Sequence, residues 1–186
     1  DADNAVILAI GPGEASRLYR TVDGGETWQE TKRNLVAEDF YDALVFMDAH
    51  RGVVIGDPVG GRFRLTGTTD GGQHWGGLLN DGMPAATEKE AAFAASGTCI
   101  AALGDHWILV VTGGPGKARA FGSSDQSRTW TVAELPIDAG VESAGAFSAV
   151  MLDSRKAVAV GGDYKRPELA ARVAAKSVTS ARPALP

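Results

Sequence analysis

One eight-residue segment occurs three times along the chain. It reads TVDGGETW at 21–28, TTDGGQHW at 68–75 and, in a more divergent form, SSDQSRTW at 123–130. The final tryptophans are 47 residues apart (28 to 75) and then 55 residues apart (75 to 130). A repeat of about 20 to 50 residues indicates that a chain folds as a series of similar structural units.

The segments between the first two copies have the pattern of short strands. Phe63 and Leu65 alternate with Arg62 and Arg64, as expected where one face of a strand is buried and the other is solvated. Gly, Asp and Pro interrupt the apolar runs every few positions, which favours antiparallel strands over a helix. Each repeat is therefore predicted to form one four-stranded sheet, with strands at 41–47, 52–58, 62–68 and 74–79.

The same pattern extends over most of the chain. It predicts the last three strands of a first unit, most of a third unit and the start of a fourth, at 5–11, 16–22, 27–31, 91–96, 98–103, 107–113, 118–124, 145–152 and 156–164. Residues 1–164 are thus assigned to about three and a half sheets. Residues 165–186 are assigned to an irregular or partly helical segment. There, a short helix over 167–176 competes with a strand near 172–180, and 181–186 is expected to be irregular.

The repeated segment has the composition of a tight turn between two strands. Gly accepts the positive φ that such turns need, and the preceding Asp can fold its carboxylate back onto backbone N–H groups. The Trp begins the next strand and offers apolar surface that can pack between sheets. We therefore assign structural roles to Thr21, Asp23, Gly25, Trp28, Thr68, Asp70, Gly72, Trp75, Ser123, Asp125 and Trp130.

Two details of the copies bear on this assignment. Aspartates at equivalent positions of separate sheets are expected to lie far apart, whereas glycoside hydrolysis needs two carboxyl groups within about 5 to 10 Å. In the third copy, Gln126 and Ser127 replace both glycines, which predicts a looser turn. The repeat is accordingly interpreted as scaffold rather than as a catalytic or metal-binding element.

The pattern Ser/Thr-x-Asp-x-Gly-x-Thr-Trp resembles the Asp-box, also called the bacterial neuraminidase repeat. Asp-boxes occur in sialidases, xyloglucanases, sortilin-type receptors and photosystem II assembly-factor-like proteins, all of which are β-propellers. Residues 40–63, 90–99 and 140–164 resemble a group of bacterial exported propellers that carry the label "oxidoreductase" or photosystem-assembly-like. This resemblance implies an all-β fold, a β-propeller of four-stranded antiparallel blades, and a periplasmic or secreted location.

The number of repeats bears on how such a propeller would close. Closed propellers typically have four to eight blades, and this sequence supplies fewer than four full ones. A lone arc would expose apolar blade faces and sheet edges. We therefore expect a partial propeller, either lacking further blades or completed by a second copy of the chain.

Charge and composition exclude several classes of partner. A net charge of -5, a pI near 5.2 and the lack of a long basic run argue against nucleic acid or anionic lipid. The longest apolar stretch, 107–114, is shorter than the roughly 20 residues of a membrane helix. Cys99 is the only cysteine, so no internal disulfide can form, and its apolar surroundings predict a buried core residue.

Motifs for catalysis or cofactor binding are not found. His50, His74 and His106 lack metal-ligand spacing, and the Gly-Pro-Gly stretches lack the Lys-Ser/Thr of a phosphate loop. There is neither a nucleophile elbow nor a dinucleotide fingerprint, so no metal or cofactor is predicted. Resemblance to sialidases would imply an Arg-Ile-Pro segment, which this sequence does not contain, and a Tyr/Glu pair.

Polar loops follow the second strand of successive units and provide the candidate site. Equivalent loops of a propeller gather on one face, so the loops at 56–62, 112–117 and 161–166 are expected to lie near one another. Ordinary solvated connections without a binding role would have the same composition. The candidate ligand-binding residues are Asp57, Arg62, Lys117, Asp163, Tyr164 and Lys165, with Glu90 and Ser96 as additions. The predicted function is a non-catalytic binding or assembly module for a protein, peptide or glycan. The alternative is a glycoside hydrolase of sialidase or xyloglucanase type.

Overall fold

A computed structural model describes residues 2–78, 82–169 and 172–178, which form four antiparallel sheets. Strands follow one another in chain order within each sheet, and the sheets are called blades 1 to 4. Blade 1 contains β1 (Ala5–Ala9), β2 (Arg17–Thr21) and β3 (Gln29–Arg33). Blade 2 contains β4 (Tyr41–Phe46), β5 (Gly52–Val59), β6 (Arg62–Thr68) and β7 (Gly76–Gly77). Blade 3 contains β8 (Ile100–Leu103), β9 (Trp107–Thr112), β10 (Arg119–Ser123) and β11 (Thr131–Glu134). Blade 4 contains β12 (Ala144–Asp153), β13 (Lys156–Asp163) and β14 (Ala174–Val178).

This architecture confirms the predicted all-β arc of propeller blades. Blades 2 and 3 have four strands, and blades 1 and 4 have three in the described ranges, where no sheet closes on itself. In β6, Phe63 and Leu65 are buried and Arg62 and Arg64 are exposed, so the predicted alternation is also confirmed. Cys99 is fully buried, as its apolar surroundings predicted.

The strand predicted at 91–96 is wrong. Ala91 makes an isolated bridge to Gly113, and the chain then coils into a single 3-10 turn at Ala94–Ser96. Gly97 ends that turn in the left-handed conformation, with φ of 63°. A left-handed residue breaks an extended run, so this segment forms a wall beside the sheets rather than a strand within one.

The fourth blade continues past the boundary at 164 that the sequence suggested. Ala174–Val178 pairs with β13 and buries Ala175, which supplies the third strand rather than the helical alternative. Backbone pairing with β13 satisfies N–H and C=O groups that a solvated segment would leave to water. The irregular end expected at 181–186 lies outside the described residues.

Two apolar clusters hold the blades together. The smaller lies between blades 1 and 2 and is built on Leu18, Tyr41, Val54 and Trp75. The larger joins blades 2, 3 and 4, and at its centre Phe63 meets Phe121 edge to face, with ring centroids 5.5 Å apart. Burial between sheets, rather than within one, therefore provides most of the hydrophobic stabilisation.

The outer faces of the end blades remain uncovered. Ile7 of blade 1 and Val150, Leu152 and Val160 of blade 4 are each about half exposed, at 46%, 50%, 57% and 45%. In a propeller each blade packs between two neighbours. The described residues thus form an open arc whose two ends have the composition of blade–blade interfaces.

Candidate functional site

The first repeated segment forms a closed hydrogen-bonded turn between β2 and β3. The Thr21 hydroxyl donates to Asp23 Oδ1 (2.6 Å) and accepts from Gly25 N–H (3.0 Å). Asp23 also accepts from the Thr27 amide (3.0 Å) and hydroxyl (2.6 Å). These bonds lower the pKa of Asp23 to about 2, and the bond from the Thr21 hydroxyl makes the largest contribution. The carboxylate is thus engaged within its own turn.

The other two copies repeat these bonds with small changes. Asp70 accepts from the His74 amide (3.0 Å) and contacts its ring Nδ1 (2.7 Å), and both contacts hold its pKa below the ordinary value. Burial raises the pKa of Asp125, but bonds from Thr129 and Ser123 outweigh it and leave the pKa lowered.

The third turn keeps the geometry of the first two. Gln126 and Ser127 have φ of 62° and 70°, close to the 72° and 94° of Gly24 and Gly25. The looser turn predicted from the loss of both glycines is therefore wrong. The hydrogen bonds of Asp125 and Ser123 hold two non-glycine residues in a conformation that usually favours glycine.

The tryptophans of the motif pack toward the preceding blade. Trp75 joins the cluster between blades 1 and 2, and Trp130 joins the cluster that includes blades 2 and 3, each with 8% exposure. Trp28 is 40% exposed, and no sheet precedes its blade in the described residues. Trp75 and Trp130 therefore each pack at the seam with the blade before their own.

A cavity of about 530 Å³ opens at the opposite end of the blades from these hairpins. The repeated turns join the last two strands of blades 1 to 3, so antiparallel pairing places the connection from the second to the third strand at the other end, here called the loop face. The loop-face cavity is lined by Phe40, Asp42, Asp57, Ala92, Phe93, Ala94, Ala95, Ser96, Phe147 and Tyr164.

Two β-bulges in blade 2 direct carboxyl groups into this cavity. Tyr41 pairs with Gly56 and Ala43 with Ile55, so Asp42 is the extra residue of the first bulge. On the next pair of strands a second register shift, between Gly56 and Pro58, makes Asp57 the extra residue. Bulges re-aim side chains and occur often beside functional sites.

Blade 4 has a matching bulge that places an aromatic ring in the same cavity. Ala146 pairs with Gly161 and Ser148 with Val160, which leaves Phe147 as the extra residue. Asp42 and Phe147 thus occupy equivalent positions in their blades. Asp42 follows Tyr41, which pairs with Gly56, and Phe147 follows Ala146, which pairs with Gly161.

The two facing glycines permit this close approach. A Cβ on Gly56 would lie 2.7 Å from Phe40 O, and one on Gly161 would collide with the Gly145 carbonyl. Both bulges therefore depend on the lack of a side chain at the facing position.

Asp42 is the more buried of the two carboxyl groups. Its exposure is 2%, and its Oδ2 has no hydrogen-bond partner among the described residues. Burial raises the pKa of Asp42 to about 8, and the charges of Asp57 and Asp39 add to the effect. Asp42 therefore keeps its proton at neutral pH when the cavity is free.

Asp57 is also shifted, but less. Its Oδ1 accepts from the Ala92 N–H at 3.0 Å, which ties blade 2 to the 91–96 segment. Burial raises the pKa of Asp57 to about 6, the Ala92 bond lowers it, and the charge of Asp39 raises it. At neutral pH this carboxyl group is mostly ionised.

Three aromatic rings that contact one another also line the cavity. Phe93 and Phe147 meet edge to face with centroids 4.6 Å apart, and Phe147 lies 6.3 Å from Tyr164. The Ser96 hydroxyl donates to Phe147 O (2.5 Å) and fixes the 3-10 turn against the bulge. Small alanines at 92, 94 and 95 leave the space between the rings and the carboxyl groups open.

The structure brings some of the predicted site residues together and not others. Asp57, Tyr164 and Ser96 line the loop-face cavity. Arg62, Lys117 and Lys165 are exposed and lie outside its lining.

Asp163 and Glu90 have partners that fix the loops around the cavity. Asp163 accepts from Ser143 Oγ (2.7 Å), Arg166 Nε (2.7 Å) and Lys165 N (3.0 Å), and the first two bonds lead in lowering its pKa to about 2. Glu90 is buried and pairs with Arg119 and the Thr112 hydroxyl. Both carboxylates are therefore engaged in positioning backbone.

Sequence reasoning missed Asp42, Phe40, Phe93 and Phe147. The available signal was a single carboxyl group in the otherwise apolar strand YDALVF, which is unusual for a buried position. Bulges are defined by cross-strand register, so one strand read alone does not show them. Phe93 was assigned to a strand that does not form.

Neither a metal cluster nor a membrane span is found in the described ranges. Among residues 2–78, 82–169 and 172–178, no group of three His, Cys, Asp or Glu side chains could hold a metal ion. No helix in that part of the chain is long and apolar enough to cross a membrane. The cavity offers two carboxyl groups facing aromatic rings, a combination that suits a cationic or mixed polar and apolar ligand.

Comparison with known proteins identifies the fold. No protein-family model matches the chain, and no curated protein matches it. A structure of YCF48 bound to D1 peptide is similar, with a TM-score of 0.53 and 22% identity, over 86% of this chain and 45% of that one. The GH74 enzyme of Niastella koreensis is similar with a TM-score of 0.50 and 15% identity, over 87% and 24%. The NanB sialidase from Streptococcus pneumoniae has a TM-score of 0.42 and 13% identity, over 86% and 26%.

The similarities to the YCF48 and GH74 structures show a β-propeller-like fold. The chain spans 45% of the length of the YCF48 structure and 24% of the GH74 structure. At these levels of identity the likeness concerns architecture, because one fold hosts many functions.

Proposed function

We propose that the chain is a non-catalytic binding module that takes a protein or peptide segment in the loop-face cavity. The observation that carries this proposal is the convergence of three bulged residues, Asp42, Asp57 and Phe147, on one cavity. Bulges interrupt ladder hydrogen bonds, so three that meet at one cavity indicate a site shaped for contact with another molecule.

The chemistry of the walls favours a peptide over a sugar. Polar side chains in the lining are limited to Asp42, Asp57, Ser96 and Tyr164 among the described residues, and the other lining residues are aromatic or alanine. A sugar ring carries hydroxyl groups around its edge and needs many hydrogen-bond partners when buried. Aromatic surface with a few placed polar groups is typical of peptide recognition.

The shape also suits an extended segment. A second cavity of about 470 Å³ shares the lining residue Asp57 with the first and is also lined by Pro58, Gly61, Thr87 and Glu90. An extended chain advances about 3.3 Å per residue, so the two cavities together can hold several residues. The similar YCF48 structure is described as bound to D1 peptide, which supports the proposal by analogy of fold.

A peptide or protein array tests this function. Tyr164 is 59% exposed, so Tyr164→Ala removes a cavity wall without opening the core. We expect retention on the array to fall about tenfold or more in this variant. Tyr19→Ala removes the same ring from blade 1, outside the cavity, and serves as the matched control. Equal retention by both variants would contradict the proposal.

Glycoside hydrolysis is the second candidate, because two carboxyl groups with different pKa values share one cavity. Asp42, with a pKa of about 8, would supply the proton, and Asp57, with a pKa of about 6, would act as base. No arginine is among the described lining residues, which disfavours a carboxylate-bearing sialoside. Release of a fluorescent leaving group from a glucan or sialoside, abolished in Asp42→Asn, would support this function over the first.

We further propose that the arc is completed by more blades and that the protein acts in the periplasm or outside the cell. The apolar outer faces of blades 1 and 4, with Ile7 and Leu152, support ring completion by another copy or by further blades. The location rests on resemblance to exported propellers. Sedimentation of a cooperatively unfolding monomer would count against completion by a second copy, and cell fractionation tests the location.

A further inference from the structure

We infer that the ligand group held between Asp42 and Asp57 is an organic cation, the ammonium of a lysine side chain or the guanidinium of an arginine. This inference rests on the proposed binding function and names the chemistry of its ligand. It is carried by the geometry of the loop-face cavity, in which carboxyl groups face aromatic rings.

When Asp42 is ionised, its Oδ2 is an acceptor without a donor. It is 98% buried, and its Oδ2 has no hydrogen-bond partner in the described ranges. Buried polar atoms in folded proteins are nearly always paired. A donor that enters the cavity from outside the chain would complete this acceptor, and ammonium and guanidinium groups are donors without acceptors.

The aromatic wall suits the rest of a basic side chain. Phe93, Phe147 and Tyr164 line the cavity and form a continuous series of ring contacts. Cations are attracted to ring faces, and the methylene stems of Lys and Arg pack on apolar surface. The aromatic rings therefore suit the methylene stem of a basic side chain, and the carboxyl groups suit its charged end.

The surrounding charges favour a cation over other ligands. Asp39 raises the pKa of both Asp42 and Asp57 through its negative charge, and Arg64 Nε lies 3.8 Å from Asp39 Oδ2. Burial raises the pKa of Cys99 to about 12, with a contribution from Asp42, so this thiol stays neutral. An anion would be repelled by the ionised Asp57, and a metal ion would find no group of three ligands among the described residues.

The same groups make binding depend on pH. Asp57 and Asp42, with pKa values of about 6 and about 8, must lose protons to pair with a cation. The ammonium of lysine stays charged up to about pH 10. Binding of the cation should therefore strengthen as the pH rises from about 5 to about 8.5.

The test compares two probes of nearly equal shape on the full chain. Nα-acetyl-lysine methylamide carries the ammonium, and Nα-acetyl-norleucine methylamide replaces it with a methyl group. We expect the lysine probe to bind about tenfold more tightly at about pH 8, measured by calorimetric titration, and the difference to shrink at about pH 5.

Two variants and one control locate the effect. Asp42→Asn and Asp57→Asn should each reduce affinity for the lysine probe about tenfold, at unchanged circular dichroism. Asp153→Asn makes the same substitution at a half-exposed residue that pairs with Lys156 outside both cavities, and should leave affinity unchanged. A loss confined to the two aspartates supports the inference.

Three results would overturn it. Equal affinity for the two probes, with array-selected peptides still lost in Tyr164→Ala, would reject the cation and leave the binding function intact. Absence of saturable lysine-probe binding at millimolar concentration would reject the cation as well. Displacement of the lysine probe by calcium chloride at constant ionic strength would assign the aspartates to a metal ion instead.

Discussion

Asp42 and Asp57 occupy successive β-bulges on neighbouring strands of one sheet and line the same cavity. The charge of Asp57 adds to burial in raising the pKa of Asp42 to about 8. Burial of a carboxyl group whose Oδ2 has no hydrogen-bond partner among the described residues accounts for this raised pKa. Groups with strongly shifted pKa values cluster where proteins bind or react. The arrangement connects the fold, the electrostatics and the proposed function, and it leads to the following predictions.

Stability should fall as the pH rises through the pKa values of these groups. Folded Asp57 and Asp42 have pKa values of about 6 and about 8, against about 3.9 for an unfolded aspartate. Between these values the folded state binds more protons than the unfolded state, so the free energy of unfolding decreases with pH. We expect a lower urea midpoint at about pH 8.5 than at about pH 5.

Asp42→Asn should remove much of this pH dependence, because the amide does not titrate. At about pH 8.5 the variant should be more stable than the wild type by about 1 to 3 kcal/mol. Asp163→Asn is the control, since the pKa of Asp163 is held at about 2 and does not titrate in this range. An unchanged pH dependence in Asp42→Asn would contradict the assignment of the raised pKa to Asp42.

The position of each indole predicts its contribution to stability. Trp130→Ala should cost about 3 to 5 kcal/mol, the range for a buried tryptophan, because Trp130 is 8% exposed between blades. Trp28→Ala should cost less than half as much, because Trp28 is 40% exposed. Urea denaturation of both variants measures the difference. Equal losses of stability in the two variants would mean that the Trp28 indole is buried against another surface, and would contradict its exposure in this structure.

Restoring glycine to the third turn should stabilise the protein. Ser127 has φ of 70°, and its buried hydroxyl has no hydrogen-bond partner among the described residues. Ser127→Gly relieves both costs, against a smaller entropic cost of glycine, for a net gain of about 1 kcal/mol. Gly25→Ser makes the reverse change in the first turn and should destabilise. A loss of thermal stability in Ser127→Gly would contradict this account of the turn.

The bulges predict which glycines tolerate a methyl group. Gly161→Ala should destabilise by about 3 kcal/mol or more, because a Cβ there collides with backbone that cannot yield easily. At Gly76 the added Cβ would have no described residue within 4 Å, so Gly76→Ala should change stability by less than about 0.5 kcal/mol. If both variants have the melting temperature of the wild type, Gly161 does not lie as close to the Gly145 carbonyl as the structure places it.

Much of the fold could be predicted from sequence because its determinants are local. The repeated turns, the alternation in β6 and the burial of Cys99 follow from neighbouring residues. The 91–96 segment was mistaken for a strand because its apolar composition fits strand and turn alike, and Gly97 decides between them. The third turn was expected to loosen because hydrogen bonds from Ser123 and Asp125 are not visible in its composition.

The candidate site was predicted less completely because its determinants are not local. Propeller topology predicts that the loops at 56–62 and 161–166, which contain Asp57 and Tyr164, lie near one another. Asp42 and Phe147 enter the cavity only through register shifts, and these depend on Gly56 and Gly161 on the facing strands. A search for glycines opposite a lone polar or aromatic residue would be a useful signal in related sequences.

The central claim is that the loop-face cavity is the binding surface, and amide chemical shifts test it most directly. Titration of the ¹⁵N-labelled chain with an array-selected peptide should shift amides of the cavity lining, including Ala92, Ser96, Phe147 and Tyr164, and leave Asp23, Asp70 and Asp125 at the opposite end unchanged. Shifts concentrated on the hairpin end, with the cavity amides unmoved, would contradict the claim.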